Sequence, residues 1–251
     1  DSVPEMVSES LSSLLAGVII AIVFLIFRAL FAVTPYGNAT DCIYTIIQTP
    51  LQSLTGNLPA FIIIILIAQL LWFFGIHGSM TVLPILFPIW LSYIGDNTAA
   101  MAAGKTIPHV LNIGLWDLAN LGGSGATIGL VILMFFKAKS NQYKSFGKLT
   151  LPCGIFSVNE PVIFGLPVIL NPIMLIPFII CPIVLVCLGY ALIQFGIVTA
   201  PIGILGLGSM PPLISGIMQG SLSWGIYQLV AVVISIIIYY PFFKTIDNQA
   251  L

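Results

Sequence analysis

Glu160 is the strongest candidate in this sequence for a catalytic or binding residue. It is the only carboxylate in the largely apolar stretch of residues 148–182, and it stands between Asn159 and Pro161. Five further prolines follow or precede it, at positions 152, 167, 172, 177 and 182. Because each proline removes a backbone donor and clashes with the preceding helical turn, this stretch is not expected to form one continuous helix. An acid within broken apolar backbone predicts a binding or catalytic site.

His77 is the second ionisable candidate. It lies between two apolar segments, residues 61–75 and 79–93, and two prolines interrupt the second segment. These arms predict a re-entrant hairpin or a broken helix with His77 at its tip. A lone histidine can also be a structural residue that only hydrogen-bonds a core carbonyl, and this alternative stays open. Ionisable residues inside a membrane are nevertheless functional candidates by default.

The composition identifies the solvent around these residues. Hydrophobic residues make up 59% of the 251 positions and charged residues only 6%, whereas soluble domains carry about 25% charged residues. We therefore expect an all-α integral membrane protein, a bundle of transmembrane helices with re-entrant hairpins and broken helices that form a site. Irregular backbone at membrane depth is tolerated only beside protein or a water-filled cavity, so the Glu160 stretch should line a cavity.

The first part of the chain is expected to differ from the rest. Residues 10–33 predict an apolar helix, and residues 43–54 have apolar positions at helical spacing between polar ones. The second pattern fits a helix at the membrane interface or a loop helix packed on protein. We accordingly predict one region over residues 1–59 and a substrate-binding transport domain over residues 60–251.

Two further stretches carry polar groups toward the predicted site. Residues 95–120 contain Asp96, Lys105, His109 and Asp117, and are expected to leave the hydrocarbon or to line an aqueous vestibule. GGSGAT (residues 122–127) then opens a helix that ends at Phe136. Its small residues would present free amides to an anion or a sugar hydroxyl, or would allow close helix packing.

Basic residues orient the chain. Four of the seven basic residues lie in a polar loop over residues 137–148, and the positive-inside rule places such a loop in the cytoplasm. A span over residues 172–196, a broken element over residues 200–220 and a last span over residues 221–240 follow. The polar tail with Lys244 is then also cytoplasmic. The four cysteines have no metal-ligand spacing, so neither a metal nor a cofactor is expected.

Several motifs together resemble one known family. WFFGIHG (residues 72–78) and IFSVNEPVIFGLPVILNP (residues 155–172) are similar to the membrane-embedded IIC component of bacterial phosphotransferase-system sugar transporters, in the lactose, cellobiose and diacetylchitobiose branch. AAGKTIPH (residues 102–109), GGSGAT and MPPLISG (residues 210–216) also resemble this branch. The resemblance covers essentially the whole chain. Family members have further transmembrane helices before the part with which this sequence begins, so it resembles their C-terminal portion.

The resemblance implies a mechanism. Such proteins bind a sugar from outside, move the sugar-holding half of the molecule against the rest, and present the sugar's 6-hydroxyl to a phosphocysteine on the partner protein IIB. By motif match, Glu160 would lie beside that hydroxyl and His77 would face it, which makes these two the catalytic candidates. The candidate substrate-binding residues are Trp72, Gly75, Gly78, Asn159, Gly122, Gly123, Ser124 and His109.

The resemblance also implies partners and a location. The substrate would be a disaccharide, with cellobiose or another β-glucoside expected first, and the phosphate would come from phosphorylated IIB, with IIA upstream. Cys153, in its apolar LPCG context, is not expected to carry phosphate. The protein would be a multi-pass component of the bacterial cell membrane, homodimeric in its full-length form. Neither the charge of −1 nor any basic patch points to nucleic acid.

One position departs from the family pattern. Relatives commonly carry a tryptophan and two small polar residues before the double proline, whereas this chain has Gly208 at the first of these positions. Its substrate would then differ, or Trp224 would compensate.

Two other function classes are compatible with the residues alone. A proton-coupled sugar symporter would use Glu160 and His77 to relay protons and would bind substrate at broken helices. A non-catalytic membrane receptor would tolerate replacement of Glu160 by Gln. A requirement for phosphorylated IIB distinguishes the phosphotransferase from both.

Overall fold

The computed structural model describes residues 5–43, 45–46, 56–166 and 168–251, and within these ranges it contains helices and no strand. Four of these helices are long and apolar enough to cross a membrane: Leu14–Ala32, Gly78–Ala102, Pro172–Gln194 and Leu222–Gln249. The predicted all-α membrane architecture is confirmed. The chain divides into two compact units, Asp1–Gln52 and Ser53–Leu251.

The first unit contains helices α1 (Glu5–Ala32) and α2 (Ala39–Ile43). The Asn38 side chain starts α2, since its Oδ1 accepts from the backbone N–H of Asp41 at 2.7 Å. Helix α1 agrees with the predicted apolar helix. The predicted interfacial helix over residues 43–54 lies almost entirely outside the described residues, and the functional boundary after residue 59 stays a prediction.

The second unit begins with α3 (Leu58–Phe73) and α4 (Gly78–Ala102), which the residues around His77 separate. The break predicted at the tip is present. The interruption expected at Pro84 and Pro88 is absent, because α4 continues through both prolines. A proline removes only one backbone hydrogen bond, a loss that neighbouring groups in a membrane bundle can offset.

Two asparagines organise the polar stretch after α4. Asn97 donates to the backbone oxygens of His109 and Ile202, at 3.0 and 2.8 Å, and accepts from the His109 N–H. Asn112 donates to the oxygens of His109 and Pro201, both at 2.8 Å, and begins helix α5 (Ile113–Ala119). The stretch is therefore held by buried amide side chains.

Helices α6 (Ile128–Lys137) and α7 (Asn141–Ile155) form an antiparallel pair. The polar loop predicted over residues 137–148 is shorter than expected, because Ser140 caps α7 by accepting from the N–H of Tyr143. Lys144 and Lys148 consequently lie on a helix. A neighbouring face of α7 packs against α6, where Gly147 lies so close to the backbone of Met134 that a Cβ would be 2.6 Å from its carbonyl carbon.

The stretch around Glu160 is broken as predicted. The short helix α8 (Glu160–Gly165) is separated by a turn from the long helix α9 (Pro172–Gln194). The broken element over residues 200–220 contains a 3₁₀ turn at Leu207–Ser209 and helix α10 (Ile214–Met218). Helix α11 (Leu222–Gln249) completes the chain and packs against α6, α9 and α10.

Helix α11 fixes the loop that precedes α6. The Tyr239 hydroxyl donates to the backbone oxygen of Gly125 at 2.7 Å, and the Ser235 hydroxyl donates to that of Ala126 at the same distance. Ser235 also accepts from the N–H of Gly129 at 3.0 Å. The membrane-spanning helix α11 thus fixes the glycine-rich loop (GGSGAT, residues 122–127) by hydrogen bonds.

Candidate functional site

A cavity of about 330 Å³ brings the sequence-predicted residues together. Six of them line it directly, namely Trp72, His77, Gly123, Ser124, Asn159 and Glu160. The remaining lining residues are Ser79, Met80, Leu83, Phe87, Ile113, Trp116, Asp117, Asn120, Ser157, Val158, Gly206, Gly208 and Ser209. The lining combines aromatic and aliphatic walls with a few polar groups, as small-molecule sites generally do.

His77 and Glu160 lie side by side in the wall of this cavity. The Nε2 atom of His77 lies 3.6 Å from Oε1 of Glu160, and both side chains are partly exposed. The Nδ1 atom of His77 accepts a hydrogen bond from the N–H of Met80 at 3.1 Å, which caps α4. Because Nδ1 is an acceptor, a neutral His77 carries its proton on Nε2. That proton points into the space shared with the carboxylate.

Trp72 supports His77 from behind. The two ring centroids are 4.2 Å apart, and the indole Nε1 donates to the Ser124 hydroxyl at 2.8 Å. The same hydroxyl lies 3.1 Å from that of Ser79 and 3.2 Å from Oδ1 of Asn120. Ser124 therefore joins α3, α4 and the end of α5 at one point.

Asn159 connects the Glu160 segment to this point. Its Nδ2 donates to the backbone oxygen of Ser124 at 2.6 Å and to the hydroxyl of Thr127 at 3.0 Å. Gly123 has a φ of +98°, and a Cβ there would overlap the Asn159 side chain. A glycine is thus required at position 123 for two independent reasons.

Asp117 also lines the cavity. The sequence placed its stretch outside the hydrocarbon or in an aqueous vestibule and gave this residue no role in the site. Its Oδ2 atom is buried without a hydrogen-bond partner among the described residues. Burial raises the pKa of Asp117 to about 8. Asp117 and Asn120 both belong to the polar stretch over residues 95–120, which was the only indication in the sequence that they could line a site. Periodicity does not show which side chains of that stretch turn inward.

Several predicted substrate-binding residues lie elsewhere. His109 lines a separate cavity of about 150 Å³, where Nε2 contacts Oδ2 of Asp96 at 2.9 Å and the ring stacks on Tyr93. Gly75 and Gly78 shape the turn at His77, and Gly78 has no space for a Cβ beside the carbonyl of Ala68. These three residues and Gly122 are not among those that line the cavity, so their contact with sugar stays a prediction.

The glycine-rich loop serves chiefly as packing. The N–H of Gly122 donates to the Ser157 hydroxyl at 3.3 Å, and that of Gly123 donates to the Asn120 carbonyl at 2.8 Å. These amides are already used within the protein. A Cβ at Gly125 would overlap Phe178, which favours the close-packing interpretation of GGSGAT.

Trp224 is fully buried and is not among the cavity-lining residues, which gives no support to its compensating for Gly208. Within the described ranges, no three His, Cys, Asp or Glu side chains are grouped as metal ligands would be.

One protein family matches the larger part of the chain. The family model described as "Phosphotransferase system, EIIC" matches residues 1–182. The lichenan permease IIC component of Bacillus subtilis (strain 168) is 39% identical over 256 residues, which cover 100% of this chain and 56% of that protein. The cellobiose-specific EIIC component of Geobacillus stearothermophilus is 37% identical over 254 residues, covering 99% of this chain and 56% of that protein.

A solved structure shares the fold. The crystal structure of the transporter ChbC, the IIC component of an N,N′-diacetylchitobiose-specific phosphotransferase system, is 38% identical in sequence and superposes with a TM-score of 0.78. The match covers 100% of this chain and 59% of ChbC. The chain thus spans somewhat more than half the length of these relatives.

Proposed function

The chain belongs to the phosphotransferase system EIIC family, and from that premise we propose that it is the sugar-translocating part of such a membrane subunit. It binds a β-linked disaccharide in the cavity and presents the sugar's 6-hydroxyl to phosphorylated IIB. The observation that carries this proposal is the approach of His77 Nε2 to Glu160 Oε1 at 3.6 Å, in a cavity large enough for a small ligand.

The chemistry assigned to the pair is phosphoryl transfer. The sugar oxygen bonds to phosphorus as the phosphorus–sulfur bond of the IIB phosphocysteine breaks, and that bonding pair stays on sulfur. The hydroxyl proton passes to the carboxylate of Glu160, which positions the attacking oxygen. His77 donates from Nε2 to the same oxygen or to the transferring phosphoryl group.

Trp72 has two possible roles. Its indole is only 2% exposed, one side of the ring is covered by His77, and Phe164 meets it edge-on at 6.3 Å. These contacts support a positioning role, in which Trp72 holds the His77 ring against Glu160. Direct contact of Trp72 with the sugar, expected from the sequence, stays a prediction.

Relatives guide the choice of substrate. The names of similar proteins specify lichenan, oligo-β-mannoside, cellobiose and N,N′-diacetylchitobiose. We assign this chain to β-linked disaccharides, with cellobiose as the first to test. Gly208 lines the cavity and carries no side chain, so the wall at that position differs from the family pattern that carries tryptophan there.

We assign the partners by analogy with the family. Phosphorylated IIB supplies the phosphoryl group, IIA lies upstream of it, and the full-length protein is a homodimer in the bacterial cell membrane. Relatives named lactose-specific EIICB components support the pairing with IIB.

We assign two regions to the cytoplasm: the connection between α6 and α7, and the C-terminus. The backbone N–H groups of Lys139 and Ser140 donate to the carboxylate of Asp247 at 2.7 and 3.1 Å. The lysine-bearing segment and the end of α11 therefore lie at the same end of the second unit. The positive-inside rule places that end in the cytoplasm, where IIB would reach the site.

The symporter and receptor alternatives lack comparable support. The similar proteins described above are phosphotransferase components, and none of their names indicates a symporter. A symporter would release unmodified sugar and would respond to an ion gradient. The phosphotransferase produces a sugar phosphate only when phosphorylated IIB is present.

The deciding experiment measures product in membrane vesicles that contain the protein. Radiolabelled cellobiose is supplied with purified IIB that is phosphorylated, unphosphorylated, or lacks its cysteine. Sugar phosphate formed only with the phosphorylated protein supports the assignment. Uptake of unmodified sugar that is independent of IIB and collapses with the proton gradient would replace it with the symporter.

A further inference from the structure

Asp117 is a carboxyl group for which the proposed mechanism has no task. It lies on α5 and lines the same cavity as Glu160 and His77. The residue is partly exposed, whereas its Oδ2 atom is buried and has no hydrogen-bond partner in the part of the chain that the structure describes. A buried polar atom without a partner costs free energy, which a bound ligand can recover.

The position of Asp117 depends on a residue far away in sequence. Gly208, in the 3₁₀ turn, lines the cavity beside it. A Cβ at position 208 would overlap Oδ1 of Asp117 and would lie 2.8 Å from its Cγ. The carboxyl group therefore occupies space that any side chain at position 208 would take.

Among the described residues that line the cavity with Asp117, none is a lysine or arginine that could pair with it. His77 and Glu160 are the other titratable groups among these residues. Burial raises the pKa of Asp117 to about 8, so the carboxyl group is largely protonated at neutral pH. A protonated carboxyl group offers one O–H donor and retains acceptor capacity.

A sugar hydroxyl is complementary to this group, because it also donates once and accepts. We propose that Asp117, with the space left by Gly208, is a specificity-determining residue that binds a hydroxyl group of the disaccharide other than the one phosphorylated. This inference rests on the proposed function, since it requires that the cavity holds sugar. It adds a second polar contact point to the one formed by His77 and Glu160.

Two substitutions separate binding by Asp117 from a structural role. Asp117→Leu removes both donor and acceptor at similar size, and replacing an unpartnered buried acid with an apolar residue does not in itself reduce stability. Asp117→Asn keeps one donor and one acceptor in the same place. Asp41→Asn, a change to an exposed carboxylate of the first unit, is the control.

Binding is measured by isothermal titration of the full protein in detergent with cellobiose, diacetylchitobiose and lactose. At pH 7 we expect Asp117→Leu to weaken binding of the preferred sugar by about tenfold or more, the range of a lost hydrogen bond. Asp117→Asn and Asp41→Asn should stay within about threefold of the unmodified protein. Gly208→Ala should weaken binding as Asp117→Leu does, because its methyl group displaces the carboxyl group.

The pH profile adds a readout that a structural role would not produce. As the pH rises from 7 to 9, the carboxyl group loses the proton it donates, so the affinity of the unmodified protein should fall. The amide of Asp117→Asn does not titrate, so the sugar affinity of this variant should decrease less over the same pH range. Any part due to His77 or Glu160 would be common to both proteins.

The outcomes distinguish the inference from the function beneath it. Sugar binding by Asp117→Leu that equals that of the unmodified protein overturns the role of Asp117 and leaves the phosphotransferase assignment standing. If the Leu variant does not fold, identical pH profiles for the unmodified protein and Asp117→Asn overturn the role instead. Failure of the folded, unmodified protein to bind any of the three sugars overturns both proposals.

Discussion

His77 and Glu160 are 83 positions apart in the sequence, yet Nε2 of the first lies 3.6 Å from Oε1 of the second. One residue caps the start of α4 and the other begins α8. Two breaks in apolar helices are thus brought together, and each break exposes one ionisable side chain.

Replacing Glu160 by Gln should abolish phosphorylation and spare expression. The amide can still hydrogen-bond a sugar hydroxyl but cannot accept its proton, and loss of general base catalysis costs roughly 10²- to 10⁴-fold in rate. Phosphorylation of cellobiose by phosphorylated IIB measures the rate, and titration with cellobiose measures binding. A variant that forms product at the normal rate would remove the acid from the mechanism.

Replacing His77 by Asn should separate its two functions. Asparagine is a good N-cap residue, so its side chain can still accept from the N–H of Met80 and keep the start of α4. The Nε2 donor is lost, and we expect the phosphorylation rate to fall about 10²-fold or more while the thermal unfolding temperature stays nearly unchanged. His77→Ala, which removes the cap as well, should unfold at a lower temperature. Equal rates for His77→Asn and the unmodified protein would contradict this role.

Replacing Gly123 by Ala should destabilise the site beyond its backbone strain. The residue has a φ of +98°, and the added Cβ overlaps Asn159, which would then lose its bonds to Ser124 and Thr127. Gly104→Ala is a matched control, because Gly104 has a φ of +66° with open space around it. Strain alone costs roughly 1–2 kcal/mol. The unfolding temperature should fall further for Gly123→Ala than for Gly104→Ala. Equal decreases would show that the new Cβ does not displace Asn159.

Replacing Asp247 by Asn should loosen the segment between α6 and α7. The carboxylate accepts from the backbone N–H of Lys139 and from both the N–H and the hydroxyl of Ser140. Hydrogen bonds to a charged group contribute about 1.5–3 kcal/mol. Trypsin should cleave after Lys137 or Lys139 faster in the variant, and only in vesicles that expose the cytoplasmic side. Cleavage only from the opposite side would reverse the assigned orientation.

Replacing Asp117 by Leu should also change how stability depends on pH. Burial raises the pKa of Asp117 from 3.8 to about 8, so the folded protein keeps a proton that the unfolded chain releases above pH 4. The contribution of this group to stability is therefore lost progressively as the pH rises from about 4 to 8. The unfolding temperature of the Leu variant minus that of the unmodified protein should therefore be larger at pH 8.5 than at pH 5. A constant difference between the two proteins would show that the carboxyl group is not protonated in the fold.

The two breaks could be predicted from the sequence, but the residues that surround them could not. The breaks near Glu160 and at His77 were predicted and are present. The proline rule alone did not place them, because α7 continues through Pro152 and α9 through Pro177 and Pro182. The continuation of α4 through Pro84 and Pro88 was missed because packing in the bundle outweighs the local loss. The place of Asp117 in the cavity and that of His109 outside it were likewise out of reach, since tertiary contacts decide which polar side chains turn inward.

Ser124 gives the site a mechanical property. Its hydroxyl group meets Trp72, Ser79 and Asn120, while its carbonyl oxygen accepts from Asn159. Four side chains, three of them 35 or more positions away in the sequence, are thus hydrogen-bonded to one small residue. Any transport movement that separated these segments would break several buried hydrogen bonds at once, whereas moving them as one rigid block breaks none. A bound sugar would then travel together with His77 and Glu160, and the distance between these two residues would stay unchanged.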